Sequence, residues 1–133
     1  MSTETRSLPV RDCLDMGVSL CGVSITRHPH PVYHVAFRLT MRNVGSSSVQ
    51  LIGRKWVLKD SNGATRIIEA ERVFNQVPVL APGSVFSYGG CQRFDCAPLG
   101  MEVRFFGRDA RHVPFITPAL VFPRRCLTLP PQA

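Results

Sequence analysis

Residues 32–44, VYHVAFRLTMRNV, constrain this chain more tightly than any other stretch. Val35, Phe37, Leu39 and Met41 fall on one side of an extended backbone, and Ala36, Arg38, Thr40 and Arg42 fall on the other. Side chains on a strand alternate between faces, so the pattern describes a strand with one face in a core and one in water. One-sided strands of this kind belong to antiparallel sheets.

The rest of the chain reads the same way. Residues 18–26, VSLCGVSIT, are apolar or small and rich in strand formers. VQLIGRKWVLKD shifts its apolar phase between Leu51 and Trp56 with Gly53 between them, which predicts a β-bulge. Asn62-Gly63 predicts a hairpin into TRIIEA. Pro82-Gly83 suits the centre of a type II turn, because proline fixes φ and glycine accepts a positive one. SVFSY follows as a short strand, and LGMEVRFFG sets Met101, Val103 and Phe105 against Glu102, Arg104 and Phe106. HVPFITPALVF is the last predicted strand. Pro114 and Pro118 cannot donate ladder hydrogen bonds, so it belongs at an edge or carries a bulge. No window of twelve residues keeps a helical period. The expected architecture is all-β, a sandwich of about seven short antiparallel strands. A chain of 133 residues suits one domain, placed at 18–123, with tails at 1–17 and 124–133.

Net charge is +7, and only Lys55 and Lys59 among the sixteen basic residues are lysines. Two readings of the arginine bias stand at this point: anionic or crowded polar partners, or a GC-rich coding sequence. Five cysteines with no C-x-x-C argue against a disulfide framework and for a reducing compartment. MSTETRSLPV lacks an apolar signal core, and no apolar run reaches the ~20 residues of a membrane helix. The expectation is an intracellular protein, cytoplasmic or in the mitochondrial matrix, with no membrane association.

RKWVLKDSNG followed by QVPVLAPGSVFSYGGC resembles the ApaG domain family. Arg54, Trp56, Asp60, Gly63, Pro78, Val79, Leu80, Ala81, Pro82, Gly83, Phe86, Tyr88, Gly90 and Cys91 fall on the family pattern with their mutual spacing kept. Upstream, FRLTMRNVGSSSVQLIGRKW is similar to the family's Y-x-I-x-I-x-N strand and the segment after it. The resemblance covers roughly residues 18–123. It implies an immunoglobulin/fibronectin-III-like sandwich. Members include small bacterial proteins and domains of eukaryotic F-box and polymerase-interacting proteins, where the domain is thought to bind other proteins. No enzymatic activity is established for the family at large. Bacterial members carry G-x-G-x-x-G before the QPVL segment, once proposed to hold pyrophosphate. Ala70, Arg72 and Asn75 stand at those positions here. A phosphate cradle needs close approach of a backbone without Cβ atoms, so phosphate or nucleotide binding loses its physical basis in this chain.

Other candidate chemistry is thin. His28, His30 and His34 lie close together in HPHPVYH, and Cys91, Cys96 or His112 could complete a zinc site. The plainer reading is a loop held extended by Pro29 and Pro31, and no metal or other cofactor is expected. There is no G-x-S-x-G. Glu69 and Glu71 share a face if extended, but two acids on a solvated face explain them, and no enzyme is expected. Trp56 reads as a core anchor. Arg38 and Arg42 project from one face of their strand, Arg104 projects from another strand, and Arg108, Arg111, Arg124 and Arg125 gather near the end. If these faces coincide, they form a basic surface, with Phe106, Phe115 and Phe122 as exposed aromatics suited to a protein interface or to RNA stacking. Two function classes follow. One is a non-catalytic protein-binding module that docks by a sheet face or an edge strand. The other is a subunit or assembly factor of a ribonucleoprotein, such as an organellar ribosome, contacting RNA through these arginines. A small-molecule ligand is not expected.

Overall fold

The computed structural model describes residues 11–12, 16–72 and 76–129. Ten strands are described: β1 Arg11–Asp12, β2 Met16–Arg27, β3 Tyr33–Asn43, β4 Val49–Asp60, β5 Thr65–Ala70, β6 Val79–Leu80, β7 Val85–Phe94, β8 Pro98–Asp109, β9 Pro114–Ile116 and β10 Leu120–Val121. They form two sheets. Sheet A has the order β1-β9-β8-β4-β5, with β10 also pairing β8 and β6 also pairing β4; sheet B has the order β2-β3-β7. All described pairs are antiparallel except β1 with β9, where Arg11 lies opposite Phe115 and Asp12 opposite Ile116.

The period-two reading of β3 holds. Val35, Leu39 and Met41 are fully buried, Phe37 nearly so, and Ala36, Arg38 and Arg42 are exposed. β8 behaves alike, burying Met101, Val103 and Phe105 while Glu102, Arg104 and Phe106 face partly outward. The two inner faces meet in an aromatic cluster centred on Phe37 and Trp56, whose ring centroids are 4.8 Å apart. Phe122 packs edge-on against Phe37 and tilted against Trp56, and Tyr88 sits edge-on between Phe37 and Phe105. Trp56 is thus the core anchor that its mid-strand position implies.

The bulge expected at Gly53 is present as a register shift between Leu51 and Gly53. A Cβ on Gly53 would come within 2.7 Å of the Ala70 carbonyl oxygen, so the bulge is also where the end of β5 closes against β4. Pro82-Gly83 forms the type II turn: Gly83 has φ +83, and Ser84 N–H donates to Ala81 C=O at 2.9 Å.

The hairpin at Asn62-Gly63 takes a different form from the two-residue turn the dipeptide favours. Four residues, 61–64, connect the strands, and only Gly63 has positive φ. The Asp60 carboxylate accepts the N–H groups of Asn62 and Ala64 and so holds the wider loop. The turn after β8 repeats this arrangement. Asp109 accepts from Arg111 and Val113, and His112 N–H donates to Asp109 C=O, as Gly63 N–H does to Asp60 C=O. His112, at φ +64, fills the position that glycine fills in the first turn. A left-handed conformation costs an L-residue roughly 1 kcal/mol or more, which glycine avoids while losing more freedom on folding. His112→Gly is therefore expected to raise stability by about 0.5 kcal/mol, read as a higher urea midpoint at unchanged slope. A lower midpoint would show that the imidazole stabilises the turn by more than its backbone costs.

Three sequence expectations change. The last predicted strand is broken into β9 and β10, both on the same flank of β8. At the break, buried Thr117 donates its own N–H to Phe105 C=O, and its Oγ1 accepts the Phe105 N–H, both at 2.9 Å. Phe115 and Phe122, expected as exposed aromatics, are 1% and 2% exposed. The break between them allows Phe115 to enter the core from β9 and Phe122 from just after β10. The expected domain limits also move outward. β2 starts at Met16, which is buried, and Arg124–Leu127 form a 3-10 turn that plants Leu127 in the core. The rest of both expected tails, apart from β1, Gly17, Thr128 and Leu129, lies outside the described residues.

Candidate interaction surface

Because the sheets face each other, their outer faces point in opposite directions. That separates the arginines which the sequence left free to coincide. Arg38 and Arg42 stand on the outer face of sheet B, and Arg104 and Arg108 on the outer face of sheet A. Arg111 lies in the turn after β8. Arg124 and Arg125 lie in the 3-10 turn at the opposite end of that strand, where Arg124 neighbours Tyr33 and Pro98. No single basic surface joins the seven.

The two outer faces differ in character. On sheet A both signs of charge alternate: Lys55 lies between Glu69 and Arg104 in register, and Val57 lies opposite Glu102. Arg108 donates to the Gln50 side chain at 3.2 Å. Sheet B presents small residues and cations. Its rows, read across β2, β3 and β7, run Gly17–Arg42–Val85, Ser19–Thr40–Ser87, Gly22–Arg38–Gly89, Ser24–Ala36–Cys91 and Thr26–His34–Arg93. No acid stands on this face among the described strand residues. Arg93 pairs with Asp95 just beyond β7, at 3.2 Å. Arg42 reaches the Gly83 carbonyl only at 3.5 Å, and Arg38 has neither a hydrogen bond nor an ion pair among the described residues.

Along one side of this face runs β2, paired among the described strands to β3 alone. Proteins commonly blunt a free edge with lysine, proline, short length or a bulge. β2 is 12 residues long, carries no lysine or proline, and has no charged side chain before Arg27. Its one protective device is the bulge between Leu20 and Gly22. The bulged Cys21 turns outward, its Sγ 2.7 Å from Thr40 Oγ1. On the inward side Val18, Leu20, Val23 and Ile25 pack against the core but remain half-buried.

The remaining candidates do not assemble. His34 lies beside Cys91, Nδ1 to Sγ 4.0 Å, whereas His28 and His30 are exposed in the β2–β3 loop and His112 lies in the turn after β8. Among the described residues no three His, Cys, Asp or Glu side chains come together as a metal would require. A groove of about 570 Å³ opens on the outer face of sheet A. Ile52, Val77 and Phe106 line it together with Glu69, Glu71, Ala70 and Arg72. Two positions that lack the family's glycines thus form its wall, beside two carboxylates; Asn75 lies outside the described residues. Arg54 projects inward, and its Nη1 donates to the Arg72 carbonyl, tying the chain beyond β5 to the core. Burial pushes the Tyr88 hydroxyl well above the ordinary phenol value, and the nearby Arg54 charge pulls it partly back. No helix among the described residues is long and apolar enough to cross a membrane.

Two sheets of this connectivity, closed over one aromatic core, define an immunoglobulin/fibronectin-III-like sandwich. A putative ApaA protein from Bordetella pertussis has this fold at a TM-score of 0.73 and 24% identity, over 86% of this chain and 94% of that one. The sequence comparisons name the family. The model of the ApaG domain matches residues 25–106, and the chain belongs to the ApaG domain family. Protein ApaG of Acidovorax sp. (strain JS42) is 34% identical over 91 residues, 68% of this chain. Protein ApaG of Yersinia pestis (strain Pestoides F) is 42% identical over 53 residues, 40% of this chain. The matches span 66% and 42% of the lengths of those two relatives.

Proposed function

We propose that this chain is a non-catalytic, intracellular protein-binding module whose docking element is the free edge of β2 with the adjoining outer face of sheet B. The observation that carries the reading is the edge itself. It is 12 residues long, with the N–H and C=O groups of alternate residues turned away from β3, no charge before Arg27, and a half-buried apolar stripe beneath. Backbone pairing at such an edge supplies affinity, and alternate side chains supply selectivity. The resemblance to ApaG domains points the same way, since those of eukaryotic proteins are thought to bind proteins. Seven arginines spread over two faces and two ends give RNA no continuous track, so a protein is the proposed partner rather than RNA. Two carboxylates against one arginine in the wall of the sheet A groove speak against phosphate as its ligand.

A photo-crosslinking residue placed at Ser24, beside the edge, is expected to capture protein in living cells. The same residue at Lys59, on sheet A, is expected to capture little. RNA captured at Ser24, or equal protein capture at both positions, would overturn the assignment.

A further inference from the structure

Building on that reading of β2 as a docking edge, we propose that its occupant is an extended acidic peptide. The peptide adds to sheet B as a fourth strand. It lays one carboxylate across Gly22 onto Arg38 and a second, four residues away, across Gly17 onto Arg42.

The register carries the argument. Arg38 and Arg42 stand on the central strand, one strand removed from the β2 edge; the other edge strand, β7, puts Gly89 beside Arg38 but Val85 beside Arg42, so only β2 leaves both arginines uncovered. At the two rows where β3 offers an arginine, the edge strand offers glycine: Gly22 opposite Arg38 and Gly17 opposite Arg42. Strands lie about 4.8 Å apart, so an added backbone runs about 10 Å from β3. An extended arginine and a glutamate cover that span together, provided no side chain stands between them. Gly22 and Gly17 leave that path open, whereas serine or threonine fills the other rows of β2. Arg38 has no polar partner among the described residues to compete for it. A guanidinium with a carboxylate makes a charge-assisted contact, and the described strand residues of this face supply no carboxylate of their own.

The other side of the pleat gives the rest of the pattern. Residues of the added strand between the two acids turn inward beside Val18 and Leu20, which are half-buried and can take more apolar cover. The recognised pattern is therefore acid, apolar, any residue, apolar, acid. A second copy of this chain does not fit, because its β2 has no acid and would bring arginines against arginines. Nucleic acid fits poorly, because none of the face's rows carries phenylalanine, tyrosine or tryptophan, and the one ring, His34, lies two rows from Arg38.

The test is a selection of binders from a displayed library of random extended peptides, followed by titration of the winners against the full chain. Enrichment of acids four residues apart with apolar residues between them is expected. Amide exchange across Met16–Arg27 is expected to slow when a winner binds. Arg38→Glu and Gly22→Glu are each expected to weaken that winner tenfold or more. Gly22→Glu is a clean probe, because a Cβ there meets nothing within 4 Å and the new carboxylate occupies Arg38 internally. An unchanged thermal midpoint checks that its fold is intact. A peptide with lysines in place of the acids is expected to bind Arg38→Glu and not the parent chain. Winners without acids, indifference to both substitutions, protection on another strand, or no winners at all would each overturn the acidic strand, while protein capture at Ser24 would still support the docking module. Single-stranded RNA binding with the same sensitivity to Arg38 and Gly22 would overturn both.

Discussion

Trp56→Ala is expected to cost about 4 kcal/mol, a large share of the stability of a domain this size, and to lower the melting temperature by on the order of 15 °C. The indole is 1% exposed and is the largest of the fully buried side chains. It contacts rings from both layers: Phe37 from sheet B, and Phe122, which follows β10 on the flank of β8. Removing it opens a cavity bounded by two sheets whose backbones are fixed by their ladders, so neighbouring groups can relax only a little. Thermal unfolding followed by circular dichroism reads the loss. A loss below about 1.5 kcal/mol would mean that the two sheets close up over the gap.

Asn43→Ala is expected to cost about 3 kcal/mol through hydrogen bonds rather than volume. Asn43 is fully buried. Its Nδ2 donates to the carbonyls of Leu80 at 2.9 Å and Ser47 at 2.8 Å, and its Oδ1 accepts the Gly45 N–H. Its backbone also receives Gly83 N–H at 2.7 Å and donates to Ser84 C=O at 3.0 Å. One residue therefore fastens the β3–β4 loop, the end of β6 and the Pro82-Gly83 turn. Alanine leaves two acceptors and a donor without their partner. Aspartate keeps the acceptor and loses both donated bonds, so Asn43→Asp should be nearly as damaging. Urea unfolding of the two variants separates this from a packing effect, because an isosteric aspartate with little loss would show that the donated bonds matter little.

Legibility in the sequence followed locality. β3 and β8 declared both faces because alternation is a property of one strand. The bulge at Gly53 and the turn at Pro82-Gly83 were also legible, since each is fixed by a few adjacent residues. Asn43 carried a signal too, as the asparagine closing a strand that resembles the family's. What failed to show depends on which strands meet. Arg38 and Arg104 each project outward from their own strand, but nothing local says that the strands lie in different sheets, and so on opposite sides of the molecule. Phe115 and Phe122 looked exposed because Pro118 interrupts the alternation that would have placed them inside. Gly17 and Gly22 passed as ordinary small residues. Their meaning depends on the register with Arg42 and Arg38 and on β2 having one neighbour, although the absence of charge from Met16 to Thr26 was a visible hint.

The parallel pairing of β1 with β9 has a bearing on synthesis. Arg11 and Asp12 find their partners at Phe115 and Ile116, and Met16 shares its core with Leu127. A nascent chain on the ribosome therefore carries β1 without this partner until more than a hundred further residues have emerged. β2 and β3 can pair early as neighbours in sequence, but the apolar side of that hairpin stays uncovered until β8 and the strands beside it arrive. Contacts this distant along the chain make folding slow and late, and they leave the early hairpin as the surface that a ribosome-bound chaperone would meet first.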